Sequence, residues 1–154
     1  LDADLGLANV DVVVGLHASY NLSHVIRGEK TVEEILIKGP AGISIVPASS
    51  GIQKMAQLDE IEVGHLIQAF SQLHDDYDYL IVDTAAGISS GVLSFLQAAH
   101  HVVVVVLDEP SSITDAYAMI KVMRRDYDVE NIWVLSNMVD SLPHGKQLFE
   151  KLNR

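Results

Sequence analysis

Two segments of the sequence place carboxylates at the ends of apolar runs, a pattern that suits the binding of a hydrated metal ion. Asp83 follows the apolar run Tyr79–Val82, and small residues continue the segment from Thr84 to Gly87. A buried strand would fix the Asp83 carboxylate rigidly at a sheet edge, where it can hold a Mg²⁺-bound water beside nucleotide phosphates. The alternative is an aspartate that caps the next helix. The small-residue continuation favours the first interpretation, a Walker B pattern.

A second acidic pattern opens the chain. Asp2 and Asp4 are two residues apart, so both side chains face one way if a strand continues to Asp4. Two close carboxylates favour a metal ion or a polarised water, and Gly6 lets the backbone turn tightly. On its own this pattern is more typical of an Asp-rich turn. It gains weight because both acidic patterns fall at strand ends on the same predicted sheet edge.

Apolar runs rich in Val and Ile predict the strands that would position these carboxylates. The runs lack the alternation of a half-exposed antiparallel strand, so they predict buried parallel strands. Stretches with apolar residues at helical spacing separate them. The predicted strands are Ile43–Val46, Tyr79–Val82, Val102–Leu107 and Ile132–Leu135, and the predicted helices are Val63–Leu73, Val92–Ala99, Thr114–Met123 and Lys146–Leu152. Ser111 or Ser112 is expected to cap the third helix.

The alternation of strand and helix predicts an α/β fold, a three-layer, doubly wound architecture with a mainly parallel sheet. Right-handed crossovers place the carboxyl ends of the strands along one edge, where ligands of such sheets bind. No linker or repeat divides the chain, so we expect a single domain over residues 1–154. The first residue is Leu1, and Leu1–Asp4 is typical of the last residues of a strand. We therefore expect the domain to be N-terminally incomplete.

Composition excludes several classes of protein. The chain has 154 residues, 49% of them apolar, and no Cys, which is typical of a globular cytosolic domain. Its formal charge of −11 repels a phosphate backbone, so we expect no direct DNA binding and no contact of this segment alone with anionic lipid. The longest apolar run, Val102–Leu107, is too short to cross a bilayer. The seven His residues show no metal-ligand spacing and are expected to be ordinary polar residues.

Four motifs, in this order, resemble the MinD/ParA family of deviant Walker ATPases, and most of all its flagellar FlhG/FleN branch. The last two motifs are specific to that branch. The resemblance covers nearly the whole chain and implies a P-loop NTPase fold of the SIMIBI class. The motifs are Asp-Ala-Asp-Leu-Gly-Leu-Ala-Asn-Val-Asp (2–11), Val-Asp-Thr-Ala-Ala-Gly-Ile-Ser (82–89), Glu-Pro-Ser-Ser-Ile-Thr-Asp-Ala-Tyr-Ala-Met-Ile-Lys (109–121) and Ser-Asn-Met-Val (136–139).

The resemblance implies roles for residues at the phosphate end of a nucleotide site. Asp4 matches the catalytic aspartate, which orients the water that attacks the γ-phosphate. Asp2 matches the neighbouring carboxylate near Mg²⁺, and Asp83 matches the Walker B aspartate. Asn9 matches the switch asparagine close to the phosphates, and Thr84–Gly87 matches the second switch loop.

The resemblance also implies contacts to the base. Asn137 matches the asparagine that hydrogen-bonds adenine, and Pro110 lies in the loop beside the base. Without the resemblance, Asn137 would be interpreted as a turn residue at a strand end. The segment Asp108–Pro110 departs from the family, because its loop is more acidic than the usual Thr-rich one.

A further departure is the phosphate loop. The family's Lys-Gly-Gly-x-Gly-Lys-[Ser/Thr] segment should precede Leu1, and its backbone N–H groups and lysines cradle the phosphates. The sequence given has no substitute for it. We therefore expect this fragment alone to be inactive and the complete protein to carry the loop upstream.

As a whole, the resemblance implies a slow ATPase that forms a homodimer around ATP and Mg²⁺ and changes partners between two states. In the flagellar branch it implies control of flagellar number and placement, through an FlhF-type GTPase, flagellar switch proteins or a flagellar transcription regulator. It also implies a cytoplasmic protein with peripheral contact at the inner membrane in the ATP state. The family makes that contact through a C-terminal amphipathic helix that lies outside this sequence.

Two other functions stay open at this point. One is a non-catalytic scaffold or regulatory module of the same fold, and the other is a MinD-type regulator of the cell-division site.

Two other kinds of protein in the same ATPase class are disfavoured by composition. The charge of −11 argues against a ParA-type DNA-partitioning ATPase, and the absence of Cys argues against an iron–sulfur carrier, which holds its cluster through thiolates.

Overall fold

The computed structural model describes residues 1–4, 9–48, 60–73 and 77–153. Gly6, which the sequence predicts to form a tight turn, lies outside these residues. The chain forms two compact units, Leu1–Phe95 and Leu96–Arg154. None of the described helices is long and apolar enough to span a membrane.

In its described residues, the first unit contains short elements and two pairs of strands. The strand Asp2–Ala3 pairs in parallel with Asp83–Thr84, and Ile37–Lys38 pairs antiparallel with Ser44–Ile45. The elements are β1 (Asp2–Ala3), α1 (Val10–Val13), α2 (Leu22–Ile26), α3 (Val32–Ile35), β2 (Ile37–Lys38), a 3₁₀ turn (Pro40–Gly42), β3 (Ser44–Ile45), α4 (Glu60–Phe70), a second 3₁₀ turn (Ser71–Leu73), β4 (Asp83–Thr84) and α5 (Ser90–Ala98), the last of which runs past the end of the unit.

The core of the first unit packs helices α2, α3, α4 and α5 around β1 and the residues after β3. Leu22 and Val63 are almost completely buried, at 0% and 1% exposure. Burial of such aliphatic side chains supplies most of the stability of a unit of this size. The buried members are Ala3, Leu22, Val32, Ile35, Val46, Ala48, Val63, Leu66, Phe70 and Phe95.

The second unit contains β5 (Val102–Val106), α6 (Pro110–Asp126), β6 (Ile132–Ser136) and α7 (Leu142–Leu152). Strands β5 and β6 are parallel, with Val102 opposite Ile132 and Val106 opposite Ser136. Both helices pack on one face of this strand pair, through a core of Val106, Ala116, Leu148 and Leu152.

The predicted α/β class with mainly parallel strands is confirmed, since two of the three described strand pairs are parallel. Helices α6 and α7 begin earlier than predicted, because a proline stands in the first turn of each. Proline suits that position, since its missing N–H would have no partner there. Periodicity detects only the buried stripe of a helix, so it misses the exposed first turn.

The prediction of a buried parallel strand at Ile43–Val46 is wrong in its pairing. Strand β3 pairs antiparallel with β2. The cause is the turn Pro40–Gly42, in which Ala41 and Gly42 have φ values of 54° and 80° and reverse the chain at once. Such a reversal closes a hairpin and leaves no room for a crossover.

The predicted strand Tyr79–Val82 also differs from the structure. The strand covers Asp83–Thr84 instead, and Tyr79 and Ile81 are 88% and 77% exposed. Among the described residues, the backbone of this segment pairs only with Leu1–Ala3: the Leu1 amine donates to the Ile81 carbonyl (2.8 Å), and Asp83 N–H donates to the Leu1 carbonyl (2.9 Å).

Strands β5 and β6 lie where predicted, and the helices of the second unit cover one of their faces. The alternate residues Val103, Val105, Trp133 and Leu135 are all more than half exposed. Within the second unit, this strand pair is therefore covered on one face. The reason is that α6 and α7 both pack on the face that carries Val106.

Candidate functional site

The carboxylates predicted to lie near a metal ion are brought together by the pairing of β1 with β4. Asp2 is directly opposite Asp83 in this parallel pair. Opposite residues of neighbouring strands point to the same face, and the strands are about 4.8 Å apart. The Asp2 N–H donates to the Val46 carbonyl (3.3 Å), which also ties β1 to the segment after β3. The structure thus places the two acidic patterns side by side.

Asp2 is buried, and its carboxylate organises the backbone around it. One oxygen, Oδ2, accepts from Asn9 N–H (2.8 Å) and Val10 N–H (3.0 Å), and the other, Oδ1, accepts from Asp4 N–H (3.2 Å). The first N–H groups of a helix have no partner within it. Asp2 therefore caps α1 from the neighbouring strand, while Asn9 makes no side-chain cap of its own.

These contacts fix the two neighbouring candidate residues to β1. Asp4 is half-buried and Asn9 is exposed. The backbone N–H group of each donates to the Asp2 carboxylate, so their positions depend on that side chain. A carboxylate offers about four acceptor sites, and three of those on Asp2 are taken by the N–H groups of Asp4, Asn9 and Val10. This capping role could not be found from the sequence spacing alone.

The loop after β4 is shaped by a glycine. Gly87 has a φ of +99°, a conformation that L side chains rarely adopt. Thr84 lies opposite Ala3 in the strand pair and is half-buried. Asp83 does not cap α5, because the helix begins at Ser90 and the Ser89 hydroxyl accepts from Val92 N–H (3.4 Å). The helix-cap interpretation of Asp83 is therefore wrong.

The two candidate base contacts lie in the second unit, at the carboxyl ends of β5 and β6. Pro110 begins α6, and Asn137 follows β6. The Asn137 N–H donates to the Val106 carbonyl (2.9 Å), and its Oδ1 accepts from Met138 N–H (2.9 Å). Met138 has a φ of +54°, which is uncommon for a residue other than glycine.

The predicted serine cap of α6 is wrong. The helix begins at Pro110, and Glu109 stands at its cap position without a side-chain hydrogen bond. The hydroxyl of Ser112 accepts instead from Leu107 N–H (3.0 Å). Ser112 therefore ties the end of β5 to the first turn of α6.

A polar cluster that sequence reasoning missed lies beside these loops. The Asp108 carboxylate contacts Lys151 Nζ through Oδ1 (2.6 Å) and His144 Nε2 through Oδ2 (3.1 Å). The hydrogen bond from Lys151, and then that from His144, lowers the pKa of Asp108 below its ordinary value. No local pattern could reveal the cluster, because its members come from the loop after β5 and from the two ends of α7.

The donor set of the first unit fits a magnesium ion. Among the residues that the structure describes, no group of three or more His, Cys, Asp and Glu side chains converges. Mg²⁺ does not need one, because it keeps several waters and binds through one or two carboxylates and the phosphates of its substrate. The adjacent Asp2 and Asp83 match that requirement.

The sequence relatives of this chain include bacterial flagellar proteins, although no family model matches it. It is 51% identical to the antiactivator FleN of Pseudomonas aeruginosa, over 100% of this chain and 55% of FleN. It is 34% identical to the flagellum site-determining protein YlxH of Helicobacter pylori, over 98% of this chain and 51% of that protein. The chain thus spans about half the length of these relatives.

A solved structure shows the same fold. The MinC:MinD cell division protein complex of Aquifex aeolicus matches with a TM-score of 0.78 and 26% identity, over 99% of this chain and 63% of that chain. The sequence relatives, the MinD-like fold and the four motifs agree. The chain therefore belongs to the MinD/ParA family, in the flagellar branch that includes FleN.

Proposed function

We propose that the complete protein is a switch ATPase that dimerises around ATP and Mg²⁺ and regulates flagellar number and placement. The observation that carries this proposal is the in-register pairing of Asp2 and Asp83, with Asp4 two residues further on. The similarity to FleN and YlxH supports the flagellar role. We also propose that residues 1–154 belong to a single ATPase domain.

The first unit carries the candidate groups for phosphate chemistry. Asp83 and Asp2 would hold the waters of Mg²⁺, which neutralises phosphate charge when it is bound. Asp4 would accept a hydrogen bond from the attacking water and orient it in line with the γ-phosphate. Asn9 and the loop Thr84–Gly87 would respond to the presence of that phosphate.

The second unit carries the candidate contacts to the base. Asn137 would hydrogen-bond adenine, and Pro110 would lie beside the base. The side-chain amide of Asn137 suits adenine, because one group both donates and accepts. Its Oδ1 is already oriented by Met138 N–H.

The partners of the proposed switch are proteins. A second copy of the complete protein would pair with it in the ATP state. An FlhF-type GTPase, the flagellar switch proteins or a flagellar transcription regulator would distinguish the two states. We propose a cytoplasmic protein that contacts the inner membrane peripherally when ATP is bound.

Replacement of Asp4 in the complete protein tests the proposal. Asp4→Ala is expected to keep ATP binding and ATP-induced dimerisation, while the turnover number falls by about 100-fold or more because the attacking water is no longer oriented. Turnover is measured by phosphate release, and dimerisation by light scattering with and without ATP. Asp78→Ala, an exposed aspartate of the same unit, is the matched control and should leave both unchanged.

Two results would contradict the proposal. Unchanged turnover in Asp4→Ala would remove Asp4 from the chemistry. A complete wild-type protein that neither binds ATP nor changes its size with ATP would favour the non-catalytic scaffold.

A further inference from the structure

One histidine connects the two loops that leave the carboxyl ends of β5 and β6. His144 lies in the first turn of α7, where its backbone N–H donates to the Ser141 hydroxyl (3.3 Å). Its Nε2 is 3.1 Å from Asp108 Oδ2, in the loop after β5. Its Nδ1 accepts from Asp140 N–H (3.4 Å), in the loop after β6. A single rigid ring therefore contacts both loops.

The two contacts are complementary in their hydrogen-bonding roles. A neutral imidazole with its proton on Nε2 donates to the Asp108 carboxylate and accepts from Asp140 N–H. Lys151 holds the second carboxylate oxygen of Asp108 at 2.6 Å, so the carboxylate is fixed from both sides. The loop after β5 is fixed further by the hydrogen bond from Leu107 N–H to the Ser112 hydroxyl.

Helix α7 has an anchor that does not involve the histidine. Leu148 and Leu152 are buried in the core of the unit. The Ser136 hydroxyl at the end of β6 donates to the Gly145 carbonyl (3.2 Å), which also ties α7 to this strand. Because α7 is anchored in this way, loss of the His144 contacts should change the spacing of the two loops and leave the helix in place.

The two loops carry the candidate contacts to the nucleotide base. Pro110 follows Asp108 by two residues, and Asn137 precedes Asp140 by three. We propose that His144 is a positioning residue, which holds these loops at the spacing that an adenine base requires. This inference rests on the proposed ATP-binding function. It assigns to His144 no contact with the nucleotide itself.

Binding measurements on the complete protein test the inference. His144→Leu removes both contacts, and we expect it to raise the Kd for ATP about tenfold, the equivalent of one or two hydrogen bonds. His144→Gln can keep the contact with Asp108 and should have a smaller effect. The Kd for inorganic triphosphate, which has no base, should not change in either variant. The turnover number at saturating ATP should also stay constant, because the loss affects bound substrate and transition state equally.

The matched control is Asp126→Asn. It breaks the ion pair of Asp126 with Arg125 (2.6 Å) at the opposite end of α6 from the two loops. A helix of this length is about 25 Å long. This variant should bind ATP like the wild-type protein.

Each remaining result overturns the inference. An unchanged Kd for ATP in His144→Leu would show that the loops keep their spacing without the ring. Equal losses for ATP and for triphosphate would show a general structural role. If His144→Leu does not fold, Asp108→Ala replaces it, because alanine leaves no acceptor for His144 Nε2. Wild-type ATP affinity in that variant overturns the inference. A wild-type protein without ATP affinity refutes the proposed function itself, and the inference with it.

Discussion

Asp2 and Asp83 lie directly opposite each other on neighbouring parallel strands, although they belong to distant parts of the sequence. One of them is buried and accepts three backbone hydrogen bonds, and the other is exposed. The pair therefore combines a fixed carboxylate, which holds its surroundings, with an accessible one. This difference separates the effects expected from substituting each residue.

Substitution of Asp2 should affect both stability and activity. Asp2→Ala removes the acceptor of three backbone N–H groups, so we expect the free energy of unfolding of the complete protein to fall by about 2 kcal/mol. Asp2→Asn keeps the size of the side chain and one acceptor oxygen, and its loss should be smaller. Urea denaturation followed by circular dichroism measures both. Equal stability of wild type and Asp2→Ala would show that the capping contacts contribute nothing.

Substitution of Asp83 should affect the metal requirement and leave stability unchanged. The side chain is exposed and makes no hydrogen bond among those found in the described residues, so Asp83→Asn should unfold at the same urea concentration as the wild type. The Mg²⁺ concentration that gives half-maximal ATP turnover should rise about tenfold, as for residues that bind a metal through its waters. A Mg²⁺ titration of phosphate release measures this change. Asp78→Asn serves as the control and should give the wild-type titration. An unaltered Mg²⁺ titration in Asp83→Asn would exclude Asp83 from the metal site.

Gly87→Ala should destabilise the loop after β4. Its φ of +99° disfavours any L side chain, although nothing lies within 4 Å of an added Cβ. The expected loss is about 1 kcal/mol, which comes from the backbone alone. Gly64→Ala is the matched control, because Gly64 lies inside α4 with equally open space around it and without a positive φ. That variant should gain about 0.5–1 kcal/mol, so opposite signs are expected in thermal or urea denaturation.

The stability contributed by Asp108 should depend on pH. Lys151, and then His144, lowers the pKa of Asp108 in the folded protein. A carboxyl group with a lowered folded pKa stabilises the protein above its unfolded pKa of about 4, and this contribution is lost as the pH falls through the folded value. We therefore expect a small difference in unfolding free energy between wild type and Asp108→Asn at pH 7. The effect is small because Asp108 and Lys151 are partly exposed.

Denaturation curves between pH 7 and pH 3 check this dependence. The difference between wild type and Asp108→Asn should shrink as the pH falls below about 4. In a Lys151→Met background, the difference in unfolding free energy caused by Asp108→Asn should be smaller. In a Lys146→Met background, which removes an exposed lysine of the same helix, that difference should be unaltered. A difference in unfolding free energy that grows in acid would contradict the lowered pKa of Asp108.

Local patterns in the sequence predicted the second unit well. Val102–Leu107 and Ile132–Leu135 predict β5 and β6 to within one residue, and their parallel pairing is observed. Runs of β-branched residues and apolar periodicity are local properties, and these elements make their hydrogen bonds within one compact unit. The same reasoning failed at Ile43–Val46, because a turn of three residues determined its pairing.

By itself, the sequence determined the family, the α/β class and the identity of the candidate carboxylates, because motifs and periodicity are properties of neighbouring residues. Only the tertiary structure decided that Asp2 caps α1 and lies opposite Asp83, and that His144 contacts both Asp108 and Asp140. The physical reason is that these relationships join elements far apart in the chain. Strand register and helix packing set their distances, and neither is encoded in the spacing of the residues involved.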